Sequence, residues 1–303
     1  MDAAVRRSVV FAGPVSPGLT LAPLRRGRGD PCHHDSPDGS IWRTSLMADG
    51  PVTVRIARTG ERSVECRLWG AGATEFAESL PAFLGADDDP SGFRPHHPTL
   101  AAAARRVSHL RLGRTGRVLE ALIPAVLEQR VHGADARRSW RRLVTRYGSP
   151  APGPAPAHLR VPPSPEVWQR IPSWEYHRAN VDPGRARTIV GCARRADALE
   201  RLTTGSVEHA RTGLMSLPGV GQKTATLQRA FGDADAVSVG DYHLAAMVGW
   251  SLLGRPIDDA AMLELLEPIR PHRHRAVRLL EVSGLARNPR FGPRMAIPDL
   301  RAL

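Results

Sequence analysis

The chain has 303 residues and a mass of 32.9 kDa, room for one large domain or two ordinary ones. With 42% apolar residues it can bury a sizeable core, which excludes wholesale disorder, and no run of 18 apolar residues is present to cross a membrane as a helix. Forty-two Lys and Arg stand against 30 Asp and Glu, a net charge of +12, and every basic residue except Lys223 is arginine. Part of that bias goes with an Ala-, Gly- and Pro-rich composition. An arginine surplus nonetheless attracts phosphate and suits bidentate contacts with it, so a nucleic-acid partner is expected. Three separated cysteines (Cys32, Cys66 and Cys192) imply no disulfide framework and fit a reducing compartment. Arg6-Arg7 precedes an apolar stretch that breaks at Gly13-Pro14 and Pro17-Gly18, too short for an export signal, and a cytoplasmic location is expected.

In chain order, Cys32-His33-His34 lacks a second ligand pair at metal spacing and is taken as a polar loop. Strands are predicted at 41–44, 52–56 and 64–69. The last two alternate apolar and polar residues around a turn at Thr59-Gly60, the pattern of antiparallel pairing. A helix over 73–84 should end at Gly85, before the acidic loop Asp87-Asp88-Asp89-Pro90. There β signals stop and helical periodicity begins. The expectation is a mainly α protein with two domains: a small α+β unit with an antiparallel sheet at 1–92, and a helical body at 93–303.

Residues 101–150 hold eleven arginines against three acids, Glu120, Glu128 and Asp135. Leu119, Leu122, Ile123, Val126, Leu127 and Val131 mark a buried helical face, which Pro124 should kink or begin. A second helix over 134–147 carries Arg137, Arg138, Arg141, Arg142 and Arg146, either as a solvated face or as phosphate contacts. Seven prolines between 148 and 165 predict a stiff extended connector, and helices resume at 166–180, 185–201 and 206–216.

Leu217-Pro218-Gly219-Val220-Gly221-Gln222-Lys223-Thr224-Ala225 lies between two apolar helical patterns and predicts a hairpin of two helices at 206–231. Leu217 and Val220 can plug the space between them, while Gly219 and Gly221 permit a positive φ and close approach to a ligand. Amides at the start of the second helix would hold a DNA phosphate without reading sequence. Downstream, Asp241 opens a helix over 242–253, where a carboxylate serves either as a cap or as a chemical group.

This string resembles the hairpin of the helix-hairpin-helix DNA glycosylases, the superfamily of endonuclease III and the 3-methyladenine glycosylases. The following Gly232 to His243 stretch matches the family's Gly/Pro-rich segment and essential aspartate, Asp241. Residues Ala121 to Val131 resemble the helix that carries the family's duplex-wedging residue. A β-rich N-terminal unit and the lack of a C-terminal four-cysteine motif favour the type II 3-methyladenine branch over the endonuclease III branch.

The resemblance implies a repair enzyme that flips an alkylated purine out of damaged duplex DNA and hydrolyses its N-glycosidic bond, with Asp241 stabilising the oxocarbenium-like sugar. It implies DNA contacts from Leu217, Gly219, Val220, Gly221, Gln222 and Thr224, a wedge at Gln129 and Arg130, and a base pocket with Tyr242 and Trp174; Trp250 is a further aromatic candidate. It also implies a monomer working at the nucleoid without cofactor or catalytic metal. Lys223 departs from this branch: an amine there marks the bifunctional enzymes that form a Schiff base and nick the strand. A glycosylase/lyase using Lys223, and a non-catalytic lesion binder using the hairpin alone, therefore stay open. The basic cluster Arg270-Pro271-His272-Arg273-His274-Arg275 precedes a helix running to Glu281; its histidine pair reads as a surface or phosphate feature and not a metal site, the resemblance implies that this region packs near the base pocket, and the tail after 284 reads as irregular.

Overall fold

The computed structural model describes residues 4–220, 224–241 and 243–287. Five antiparallel strands form one sheet in the order β1-β5-β4-β3-β2: β1 (Val5–Val10), β2 (His33–Asp35), β3 (Ile41–Met47), β4 (Gly50–Arg58) and β5 (Ser63–Trp69). The three predicted strands are present and longer than expected. They form the three central strands of the sheet, with Val54 opposite both Arg43 and Leu68. Helix α1 (Pro17–Leu21) follows β1, and α2 (Ala73–Phe83) lays Phe76, Leu80 and Phe83 into the core formed with Val52, Val54, Ile56, Val64, Cys66 and Leu68. Removing each such side chain from water contributes roughly 1.5–3 kcal/mol.

Two strands escaped the sequence pattern. In β1 only Val9 is buried, so its polar residues give no alternation; pairing with β5 makes it a strand. Cys32-His33-His34 is not the expected polar loop. Cys32 and His33 are buried and β2 begins at His33, because Asp30 turns the chain inward, accepting from the amides of Arg26 (2.7 Å) and Cys32 (3.0 Å) and from the Trp140 indole (3.0 Å).

The remainder is helical: α3 (Pro98–Arg106), α4 (Val118–Leu127), α5 (Gly133–Tyr147), α6 (Pro165–Arg170), α7 (Ser173–Arg178), α8 (Pro183–Ala193), α9 (Ala196–Glu200), α10 (Val207–Met215), α11 (Thr224–Thr226) running into a π-helical turn (Leu227–Phe231), α12 (Leu244–Leu253), α13 (Asp259–Leu266) and α14 (Arg273–Ser283). The helix expected over 166–180 is two helices broken at Pro172, whose ring cannot continue an α-helix. Several starts are legible in the chain: Ser164, Asp182, Ser206 and Asp258 each accept from the amide three residues on, and Pro165 and Pro183 occupy the first helical position.

Helix α4 is the axis of the body. Every residue but Glu120 is buried, so the expected one-sided face is in fact apolar all round, as suits a helix enclosed by others. It has no local cap. The Glu200 carboxylate, pushed upward by burial, takes the amides of Val118 (2.8 Å) and Leu119 (3.0 Å) instead. Glu120 meets Arg43 (2.5 Å) and Ser45 on β3 and ties the sheet to the body.

The proline-rich stretch also departs from expectation. Instead of running free, it forms a two-residue pair between β6 (Ser149–Pro150) and β7 (Arg160–Val161), with Leu159 and Val161 fully buried. Arg160 donates its amide to the Pro31 carbonyl (2.7 Å) and accepts from Thr44 Oγ1 (2.6 Å), so backbone bonds to the sheet side hold it.

The body has two large apolar clusters. One is built on α4, α5 and α8 and ends at Ala236; the other holds Leu100, Val237, Met247, Val248, Met262 and Leu280. The tail from residue 288 lies outside the described residues.

Candidate functional site

The hairpin is present as predicted up to its glycine turn. Leu214 and Ala210 of α10 are buried, Val220 is buried against them, and Leu217 packs on the same cluster. Pro218 and Gly219 are exposed. Gly219 has φ +79°, and a Cβ there would fall 2.2 Å from Thr188 Oγ1 on α8, so both conformation and contact require glycine. Thr224 is half-buried at the start of α11. Gly221, Gln222 and Lys223, with the expected phosphate contacts and alternative nucleophile, lie outside the described residues, as does Tyr242.

Asp241 is exposed, between Val237 and Ala245, both buried in the second apolar cluster, which the chain enters just after Ala236 of the first. Its Oδ1 accepts the amides of His243 (2.9 Å) and Leu244 (3.1 Å), the first turn of α12. Asp241 therefore caps that helix, and the same two bonds fix its carboxylate. Among the described residues Oδ2 has no hydrogen-bond partner.

The segment leading to Asp241 is held from several sides by residues the sequence did not single out. Gln228 Nε2 donates to the Ala236 carbonyl (2.7 Å), and Asp233 Oδ1 accepts the amides of Asp235 (2.8 Å) and Ala236 (3.1 Å). The Asp235 carboxylate takes the Arg273 guanidinium at 2.9 and 2.6 Å, and Asp259 Oδ2 accepts the amide of Gly240 at 2.7 Å. The π-helical turn ends at Gly232 (φ +69°), which sends the chain back along α11. Asp233 and Asp235 were visible as acids near the motif. No local signal marks Gln228 or Asp259, whose roles arise from packing.

The expected wedge residues sit on the turn after α4. Gln129 is half-buried, and Arg130 is exposed with φ +52°, a left-handed conformation that non-glycine residues seldom adopt. Trp174 on α7 is 61% exposed, a large aromatic face open to solvent, while Trp250 is half-buried on α12. The described geometry does not bring Trp174 into contact with Asp241.

The expectation of His272 and His274 as a surface or phosphate feature is corrected: both are buried, as are Arg273 and Arg275. Arg273 is drawn in by Asp235 and Glu267, and Arg275 by Asp88 from the acidic loop after α2. Burial, reinforced by the guanidiniums of Arg278, Arg275 and Arg229, pushes His274 down to about 3. The folded chain thus holds a neutral imidazole, whereas the unfolded chain takes up a proton below its ordinary pKa of about 6.5. Stability from this group is complete above that value and is lost as pH falls toward 3. Between pH 7 and 4.5 the wild type should lose about 2–3 kcal/mol more than His274→Gln in denaturant unfolding. Equal losses in the two proteins would refute this role.

A helical body with two apolar clusters, a glycine-turned hairpin and, downstream, a carboxylate fixed at the first turn of a helix define the architecture of a helix-hairpin-helix protein with a sheet-bearing N-terminal unit. No family model matches the chain. It is 31% identical over 214 residues to the probable bifunctional transcriptional activator/DNA repair enzyme AlkA of Mycobacterium tuberculosis, covering 67% of this chain and 39% of that protein. The chain thus spans well under half the length of the curated relatives it matches. Among solved structures, the 3-methyladenine DNA glycosylase of Archaeoglobus fulgidus matches with a TM-score of 0.78 at 18% identity, over 92% of this chain and 98% of that one. The 8-oxoguanine glycosylase/lyase of Clostridium acetobutylicum, in complex with double-stranded DNA, matches with a TM-score of 0.69 at 12% identity, over 92% and 96%. The chain thus has the fold of these DNA glycosylases and is similar in sequence to part of the AlkA protein.

Proposed function

We propose that the chain is a base-excision-repair DNA glycosylase that extrudes alkylated purines such as 3-methyladenine from duplex DNA and hydrolyses the N-glycosidic bond. The observation that carries this is the Asp241 carboxylate, fixed through one oxygen at the first turn of α12, with the other oxygen unengaged by the described residues. As the glycosidic bond breaks, positive charge grows on the sugar, and an adjacent carboxylate lowers the energy of that state while water adds. The hairpin around Gly219 holds the backbone beside the lesion through amides, without sequence preference. Gln129 and Arg130, on the turn after α4, fill the gap left in the stack, and an alkylated base is cheaper to unstack than an intact one. Tyr242 and Trp174 are the aromatic faces assigned to the flipped base, which as a cation is attracted to a π surface. In this reading residues 1–92 form the separate N-terminal domain, and the enzyme acts as a cytoplasmic monomer on the nucleoid.

A second reading rests on Lys223, the chain's only lysine, placed in the hairpin string. Its amine can lose a proton and attack the sugar, which no arginine does. Methylated duplex DNA incubated with wild type and Asp241→Asn, then resolved with and without alkali, separates the readings. Strand breaks that need alkali and vanish in the variant support hydrolysis by Asp241. Breaks without alkali, with an adduct trapped by borohydride, support the lyase. Tight binding without breaks in any lane leaves a lesion binder.

A further inference from the structure

We propose that the groove between residues 22–29, the end of α4, α5 and the π-helical turn is a second binding site for the phosphodiester backbone of duplex DNA. The N-terminal unit would thereby be part of the DNA-binding surface. This rests on the DNA-acting function proposed above and adds a site that neither the hairpin nor Asp241 supplies.

The groove encloses about 500 Å³ and is lined by five guanidiniums, Arg25, Arg26, Arg28, Arg137 and Arg229, against one carboxylate, Glu128. Two of these cations are built into the wall. Arg26 is 7% exposed and donates to the Pro23 carbonyl at 3.0 Å; Arg229 places both terminal nitrogens 3.3 Å from Glu128 Oε2. Arg26 Nη1 lies 3.7 Å from Glu128 Oε1, so the two share one carboxylate that balances only one of them. Burial and the Arg229 charge push Arg26 down to about 10, still protonated at neutral pH. Arg25 has Asp35 at 2.7 Å. Arg28 and Arg137 are exposed and, among the described residues, have no carboxylate within ion-pairing distance.

The backbone enforces this gathering of like charge. Gly27 and Gly29 take φ +78° and +73°, curling the loop down onto α5, where a Cβ on Gly27 would fall 2.5 Å from Arg137 Cδ. Arg141 then donates to the Arg28 carbonyl. Packing an arginine-bearing loop onto an arginine-bearing helix is unfavourable without an anion, and a polyphosphate backbone removes that cost. The groove also abuts the turn of Glu128, Gln129 and Arg130. A duplex engaged by that turn carries its backbone past the groove, which favours DNA over an acidic protein segment.

The test is the salt dependence of duplex binding. Arg28→Gln/Arg137→Gln is compared with wild type and with Arg58→Gln/Arg62→Gln, an equal charge change on exposed residues of the β4–β5 hairpin. Across about 50–200 mM salt, the slope of log affinity against log salt should be shallower by about 2 in the groove variant, since each phosphate contact contributes roughly 0.9. The control should keep the wild-type slope, and thermal unfolding should be unchanged in both. Equal slopes in groove variant and control, with wild type still excising methylated purine, overturn the groove proposal and leave the enzyme reading intact. A wild type with no salt-dependent duplex binding overturns both. Weakened binding of poly-glutamate with an unchanged duplex slope assigns the groove to an acidic protein partner and also overturns the proposal.

Discussion

Asp241→Asn should fold and bind duplex DNA like the wild type yet excise methylated purine at least on the order of 10²–10³-fold more slowly, the scale on which losing one preorganised electrostatic group acts. Asparagine keeps the oxygen that accepts from His243 and Leu244, so the start of α12 stays capped, while the charge proposed to stabilise the sugar is lost. Asp241→Ala removes cap and charge together and should cost about 1 kcal/mol of stability in addition. Single-turnover excision and denaturant unfolding of both variants separate the two duties of this side chain. An Asn variant with wild-type excision would reduce Asp241 to a helix cap and direct attention to Lys223.

The largest stability effect should come from Asp88. Its carboxylate and the Arg275 guanidinium are both nearly buried, at 5% and 4% exposure. Arg275 Nη1 donates to Asp88 Oδ2 at 3.0 Å, and that oxygen also takes the Leu112 amide at 3.0 Å. Asp88→Ala leaves a buried guanidinium without its anion and an amide without its acceptor, which should cost about 3–5 kcal/mol. Asp88→Leu combined with Arg275→Met should recover much of this, because an apolar pair carries no desolvation cost. Urea midpoints test the idea: a loss under about 1 kcal/mol for Asp88→Ala would show that water or a relaxed side chain solvates Arg275.

What was legible in the sequence was local. Helix starts at Ser164 and Asp182 follow from a capping side chain three residues before its amide, and the hairpin turn follows from a glycine whose φ is positive. The alternation in residues 52–56 and 64–69 announced a sheet with one face against a core. The composition of α4 predicted a buried helix; that it is enclosed on all sides required knowing what surrounds it.

By itself, then, the sequence determined the hairpin, the position of Asp241 at the head of a helix, and the division between strand-forming and helix-forming stretches. Each depends on interactions within a few residues along the chain. The tertiary structure alone decided the fate of the charges. Arg273 and Arg275 belong to a run that looks solvated in one dimension; they are buried because folding delivers Asp235 and Asp88, the latter 187 residues away. The same process brought Arg26, Arg28, Arg137 and Arg229 to one groove with a single carboxylate. A guanidinium enters the interior only where an anion meets it, and which anion arrives is set by the packing of distant elements.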